Sequence, residues 1–161
     1  MSDAAQVDQE GQKLANQGKT EEAGQKFAEA AKIYSDGKKW PEAEVESRKA
    51  AEYLEDAAKK AAKNEGKGGK SELYEQAAQL REAASQALEE LASSVLSKKP
   101  PDKKTAKGYL TEAAKHLKKA AEDHRAAADA DAEPKEAAGE RQEADRDESR
   151  EKMYEALVKT L

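Results

Sequence analysis

The sequence predicts an all-α chain, an antiparallel bundle or short solenoid of five to six helices. Three observations predict it. Roughly one residue in five is alanine, and with Glu, Lys, Leu and Arg it dominates the 161 residues, which is the composition of strong helix formers. Val and Ile are scarce, so nothing supports a sheet. Apolar residues recur at steps of three and four between Gly, Pro and Asp signals, the period of a helix face. The length suits one domain, residues 1–161.

The first helix is predicted over residues 4–17, stopped by Gly18. Thr20, followed by Glu21 and Glu22, reads as the N-cap of a second over 20–35. Its face is Ala23, Phe27, Ala30, Ala31 and Tyr34, and Asp36-Gly37 ends it. Pro41 suits the first turn of a third helix over 41–63. Its inner stripe is Ala43, Ser47, Ala50, Leu54, Ala57 and Ala61.

Gly66-Lys67-Gly68-Gly69 reads as the most flexible linker, and Ser71 as the cap of a fourth helix over 71–97. Leu73, Ala77, Leu80, Ala84, Ala87, Leu91 and Val95 form its seam, of the coiled-coil or bundle type. Pro100-Pro101 breaks the chain before a fifth helix over 103–128, whose stripe is Ala106, Leu110, Ala113, Leu117 and Ala120. Residues 126–132 read both ways, since alanines favour helix and Asp129 and Asp131 weaken it. Glu133-Pro134 restarts a sixth over 134–160. Its middle, 139–152, is polar nearly all round, and Met153, Tyr154, Leu157, Val158 and Leu161 are expected to pin its end to the bundle.

Charge is segregated. Residues 98–119 hold eight lysines and two acids, whereas 129–152 hold ten acids and five basic residues. Packed as antiparallel neighbours, a basic fifth helix faces an acidic sixth.

Several classes of function find no support. There is no cysteine, hence no disulfide or thiolate metal site. No apolar run reaches the roughly 20 residues of a membrane span. The opening Met1-Ser2-Asp3-Ala4-Ala5 lacks a secretory pattern, so a cytoplasmic location is expected. A net charge of −5 argues against nonspecific nucleic-acid binding. The lysines of 98–119 have only Tyr109 among them and offer no stacking platform.

No catalytic, cofactor or metal residue is nominated. His116 and His124, the only histidines, lie eight apart, and Glu112 could pair with His116. Eight residues is about 12 Å of rise, too far for one ion, so both are expected at the surface or boundary. Glu140, Glu143, Asp147 and Glu151 line one face of the sixth helix and read as a solvated acidic face; no Glu-x-x-His motif of di-iron bundles occurs. Gly66 to Lys70 lacks phosphate-loop spacing. Trp40, Phe27, Tyr34 and Tyr53 are expected in the core before a groove.

Gly11, Gly18, then Ala23, Phe27 and Ala30 resemble a tetratricopeptide hairpin, in which small residues admit a neighbouring helix and an aromatic fills the gap. Val7, Glu10 and Leu14 replace the Trp, Leu and Tyr preferred there, and Ser35 the closing Pro. The pattern does not recur at 34 residues, where Val45 and Ala61 stand. Ala30-Ala31-Lys32-Ile33-Tyr34, Lys39-Trp40-Pro41-Glu42-Ala43 and Ala50-Ala51-Glu52-Tyr53 are similar to hairpins of soluble NSF attachment proteins. The resemblance covers residues 7–55 and implies a module that binds a peptide or partner helix.

The remainder, with its regular seams, charged surface and Ser, Thr or Pro helix starts, resembles a de novo designed helical protein. Gly11, Gly24, Gly108 and Gly139 lie mid-helix, which suggests natural fragments that keep their close-contact glycines. The leading expectation is a designed structural scaffold without an evolved activity, not an enzyme, with no required partner and a monomer preferred over a dimer. The alternative is the tetratricopeptide-like interaction module.

Overall fold

A computed structural model describes residues 3–65, 70–131 and 133–161. It is all-helical: α1 Asp3–Asn16, α2 Thr20–Asp36, α3 Trp40–Glu65, α4 Ser71–Leu96, α5 Lys103–Ala130 and α6 Pro134–Thr160. The order and number match the sequence reading, with ends shifted by a residue or two. The largest shifts, two residues each, are at the end of α5, which runs on through the alanines to Ala130, and at the end of α3, which runs to Glu65. The expected linker 66–69 lies outside the described residues, as does Ala132. No helix among the described residues is long and apolar enough to cross a membrane.

Each helix packs mainly on the helix before it and the helix after it. The contacts run antiparallel: Glu10 reaches Lys26 across α1 and α2, Glu55 reaches Arg81 across α3 and α4, and Ser71 reaches Ala127 across α4 and α5. The result is a run of hairpins stacked in chain order. Three apolar clusters follow one another along it. One joins Ala23, Phe27 and Ala50. A second joins Leu54, Ala58, Leu73 and Ala77. The third gathers Leu88, Leu110, Leu117 and Tyr154.

The first two turns are the same turn, twenty residues apart. In α1–α2 the Gly18 amide donates to Ala15 and the Lys19 amide to Leu14; in α2–α3 Lys38 donates to Ser35 and Lys39 to Tyr34. Both need a left-handed residue at the same place. Gly18 takes it at φ 76°, and Lys38 takes it at φ 56°. Gly37 stands one place too early to relieve the lysine, so Asp36-Gly37 marks the turn but not its strained residue.

Among the described glycines, two admit a neighbour. A Cβ on Gly11 would lie 2.8 Å from Phe27 Cε1, and one on Gly24 would lie 2.8 Å from Leu54 Cδ2. Gly108 and Gly139 face open space, which corrects the expectation that all four mark close contacts.

Helix starts also differ from expectation. Thr20 and Ser71 are first helical residues, and the cap positions fall on Lys19 and Lys70 without a side-chain cap bond. Ser71 Oγ instead donates to Ala127 O and Asp131 Oδ2, tying α4 to the end of α5. Asp102 does cap α5, accepting from the Thr105 amide.

The seams are wider than predicted. On α4, Leu73, Ala77, Ala84 and Ala87 are buried, but Leu80, Leu91 and Val95 are half-buried. A second stripe, Ala78, Arg81, Ser85, Leu88 and Ala92, is buried beside the first, because α4 is flanked by both α3 and α5. The α5 stripe is buried throughout. At the end of α6 only Tyr154, Val158 and Leu161 reach the core. Met153 is 70% exposed and Leu157 44% exposed, so these two do not pin the helix.

Candidate functional site

Helix packing at 3.6 residues per turn extends the predicted stripes onto polar residues. On α5 the run Ala113, Leu117, Ala120 continues at the next step of four to His124. On α6 the steps Ala137, Glu140, Ala144, Asp147, Glu151, Tyr154, Val158 bring carboxylates onto the inner seam. His116 is 5% exposed, His124 3% and Asp147 1%. These findings correct two expectations: neither histidine is at the surface, and Asp147 does not belong to a solvated face.

One polar cluster lies between α3, α4 and α5. Arg81 donates to both Glu55 oxygens, Nε to Oε1 at 2.9 Å and Nη2 to Oε2 at 3.1 Å. Its Nη1 stands 3.3 Å from His116 Nδ1. A guanidinium only donates, so Nδ1 accepts and the proton sits on Nε2, which donates to Glu44 at 3.1 Å. The Glu112 partner expected for His116 instead holds Lys115 on the exterior. Burial opposes the Glu55 charge, but the Arg81 bonds outweigh it and hold the carboxyl below its usual range. Asp123 goes the other way. Burial, then the hydrogen bond and charge of Glu55, push it up to about 9, so the pair shares one proton, carried on Asp123.

A second cluster lies between α4, α5 and α6. His124 Nδ1 is 2.6 Å from Glu140 Oε2, and Nε2 is 2.8 Å from Glu82 Oε1. Asp147 Oδ2 is 3.6 Å from the same Nε2. Burial disfavours a charged ring, yet the bonds to Glu82 and Glu140 prevail and push His124 up to about 9. Burial, followed by the Glu82 charge, pushes Asp147 up to about 7. Neither Asp147 oxygen has a hydrogen-bond partner. One ligand atom each from Glu82, His124 and Asp147 lie within 4.8 Å of one another, the grouping an ion needs.

A third arrangement ties α1 to α3. Lys49 Nζ bonds Asp8 at 2.6 Å and Glu46 at 2.9 Å, and stands 4.4 Å above the Phe27 ring. Tyr53, one turn further along α3, packs on the same ring with centroids 5.2 Å apart. Phe27 is core, as expected, while Tyr34, Trp40 and Tyr53 are half-buried.

Besides those of His124, the ion pairs across α5 and α6 among the described residues come from Arg125, to Glu148 at 2.7 Å and Asp145 at 3.7 Å, and from Arg141 to Asp129. The lysines of 98–119 pair along their own helix where they pair, as Lys115 and Lys119 do. The pairs that cross the hairpin are thus made by arginines toward its turn, outside the lysine-rich segment 98–119 expected to make them.

An apolar groove of about 550 Å³ opens beside the end of α6, lined by Glu89, Arg150, Met153, Tyr154, Ala156, Leu157 and Thr160.

These features define an all-helical chain of consecutive hairpins, with two buried polar clusters between its helices. A scan of protein-family models, a search of curated proteins and a search of solved structures each found no match to it.

Proposed function

We propose that the chain is a structural scaffold, which acts by holding its helices, and the surfaces they carry, in fixed relation. The observation that carries this reading is where the converging polar side chains point. Arg81, Glu55, His116 and Glu44 bond from helix to helix inside the stack, the placement of struts. Lys49 does the same between α1 and α3. A scaffold keeps its ends at one separation. Because the chain lacks cysteine, spin labels on Gln12→Cys and Lys152→Cys, both exposed, report that separation directly by electron–electron dipolar spectroscopy. One narrow distance distribution is expected; a broad or double one overturns the reading.

A second reading is an interaction module that receives an amphipathic partner helix. The groove beside α6 supports it, since Met153 and Leu157 are large apolar side chains left exposed there. A photo-crosslinker at exposed Ala156 is expected to capture a partner that Met153→Ser with Leu157→Ser loses. Equal capture by the double variant sinks this reading. A designed origin is supported by the composition and by the regular α5 seam. Helix starts without a side-chain cap bond, as at Thr20, and buried carboxylate oxygens without a hydrogen bond, as in Asp147, are features that idealised designs avoid.

A further inference from the structure

We propose that Glu82, His124 and Asp147, converging from α4, α5 and α6, bind one divalent first-row transition-metal ion of the zinc type. The inference goes beyond the scaffold reading and does not depend on it.

The geometry carries it. The candidate ligand atoms lie within 4.8 Å of one another. Ligands bound to zinc at 2.0–2.1 Å in a tetrahedron stand about 3.4 Å apart. Nε2 of His124 is 2.8 Å from Glu82 Oε1 and 3.6 Å from Asp147 Oδ2, so Glu82 must withdraw by about 0.6 Å and Asp147 approach by about 0.2 Å to reach that spacing. The ring is already aimed. Its Nδ1 is held by Glu140 at 2.6 Å, which turns Nε2 toward the other two carboxylates. A carboxylate on the far nitrogen is the usual support of a metal-bound histidine.

Asp147 is the second, independent observation. It is 1% exposed, and neither of its oxygens has a hydrogen-bond partner. Its nearest cationic groups stand at 3.6 Å, His124, and 4.0 Å, Arg150. A buried carboxylate without a bonded partner is costly, and a divalent ion between it and His124 removes that cost. The neighbouring cluster shows the contrast. There the Arg81 guanidinium already occupies the space between the carboxylate Glu55 and the imidazole of His116.

The donor set narrows the ion. One imidazole nitrogen with carboxylate oxygens suits zinc, cobalt, manganese or iron(II), whereas magnesium and calcium favour all-oxygen shells. Binding releases to solvent the Nε2 proton that otherwise bonds Glu82, and with three protein ligands a water or a second carboxylate oxygen completes the tetrahedron. The consequence is mechanical. The ion fastens the polar middle of α6 to α4 and α5 where few apolar contacts do so.

The test uses the full chain, stripped with a chelator and dialysed, then titrated with zinc chloride by calorimetry. One equivalent is expected to bind, and the melting temperature to rise. Asp147→Asn, nearly isosteric, should lose the binding while keeping its helical circular dichroism. Glu140→Gln should weaken it by about 10–100-fold. Glu143→Gln, on the same helix, should leave it unchanged. In the unaltered protein, zinc should shift the His124 Nε2 nitrogen resonance, and magnesium should not. Zinc that binds Asp147→Asn as tightly as the unaltered chain, that Glu143→Gln weakens equally, or that leaves the Nε2 resonance in place overturns the proposal.

Discussion

Phe27 lies so close to Gly11 that a methyl group there would sit 2.8 Å from Cε1 of the ring. The ring is fully buried and sandwiched between α1 and α3, with Tyr53 on its other side. Gly11→Ala therefore sets a helix-propensity gain of about 1 kcal/mol against overpacking of about 1–3 kcal/mol. We expect net destabilisation in urea unfolding. Gly108→Ala, with nothing within 4 Å, should stabilise by roughly 0.5–1 kcal/mol. Two changes of one sign would mean that the α1–α2 approach is looser than described.

Lys38 occupies the left-handed region that Gly18 occupies in the equivalent turn. A side chain pays there for a conformation that glycine adopts freely. Lys38→Gly should raise stability by about 0.5–1 kcal/mol, read as a shift in the urea midpoint with unchanged slope. A lowered midpoint counts against the strain.

Leu117 is fully buried in the cluster of α4, α5 and α6, whereas Leu80 is half-buried. Truncating Leu117 to alanine should cost roughly 2–5 kcal/mol. Leu80→Ala should cost clearly less, because its removal leaves a dent that water can enter. Equal losses would place the two side chains in equivalent surroundings.

Stability should fall on the alkaline side. Asp123 is raised from 3.8 to about 9, so its contribution is complete below the unfolded value and disappears as pH climbs through the folded one. His124, raised from 6.5 to about 9, has the same sign and loses its contribution over that upper window. In chelator, the melting temperature should drop between neutral pH and pH values above about 9. Asp123→Asn keeps a donor for Glu55 without an ionisation, so its profile should be flatter. A wild-type profile that is level or rising over this range contradicts the shared proton.

The middle of α6 should be the first part to open. Between Gly139 and Lys152 only Ala144 and Asp147 are buried, and the Asp147 oxygens have no hydrogen bond. In the stripped protein, backbone amides there should exchange faster than those from Ala78 to Ala92, in the middle of the stack. Matching protection would mean that the α5–α6 ion pairs stabilise more than exposed pairs usually do.

The helices are legible in the order of residues alone. Alanine, leucine and long charged residues favour that conformation residue by residue, and Gly18, Asp36-Gly37, Pro100-Pro101 and Pro134 interrupt it locally. These are short-range preferences, so all six elements and the α5 stripe could be read from spacing alone. Which polar residues are inside depends instead on how the helices pack. His124 and Asp147 continue apolar stripes at steps of three and four, a signal that was present but outweighed by their polarity. What makes their burial tolerable lies 42 residues from His124 at Glu82 and 16 residues away at Glu140. No local spacing encodes such partners, because they meet only when three helices pack. Electrostatic pairing in a low-dielectric interior depends on distance in space, and the stacking order of the hairpins sets that distance.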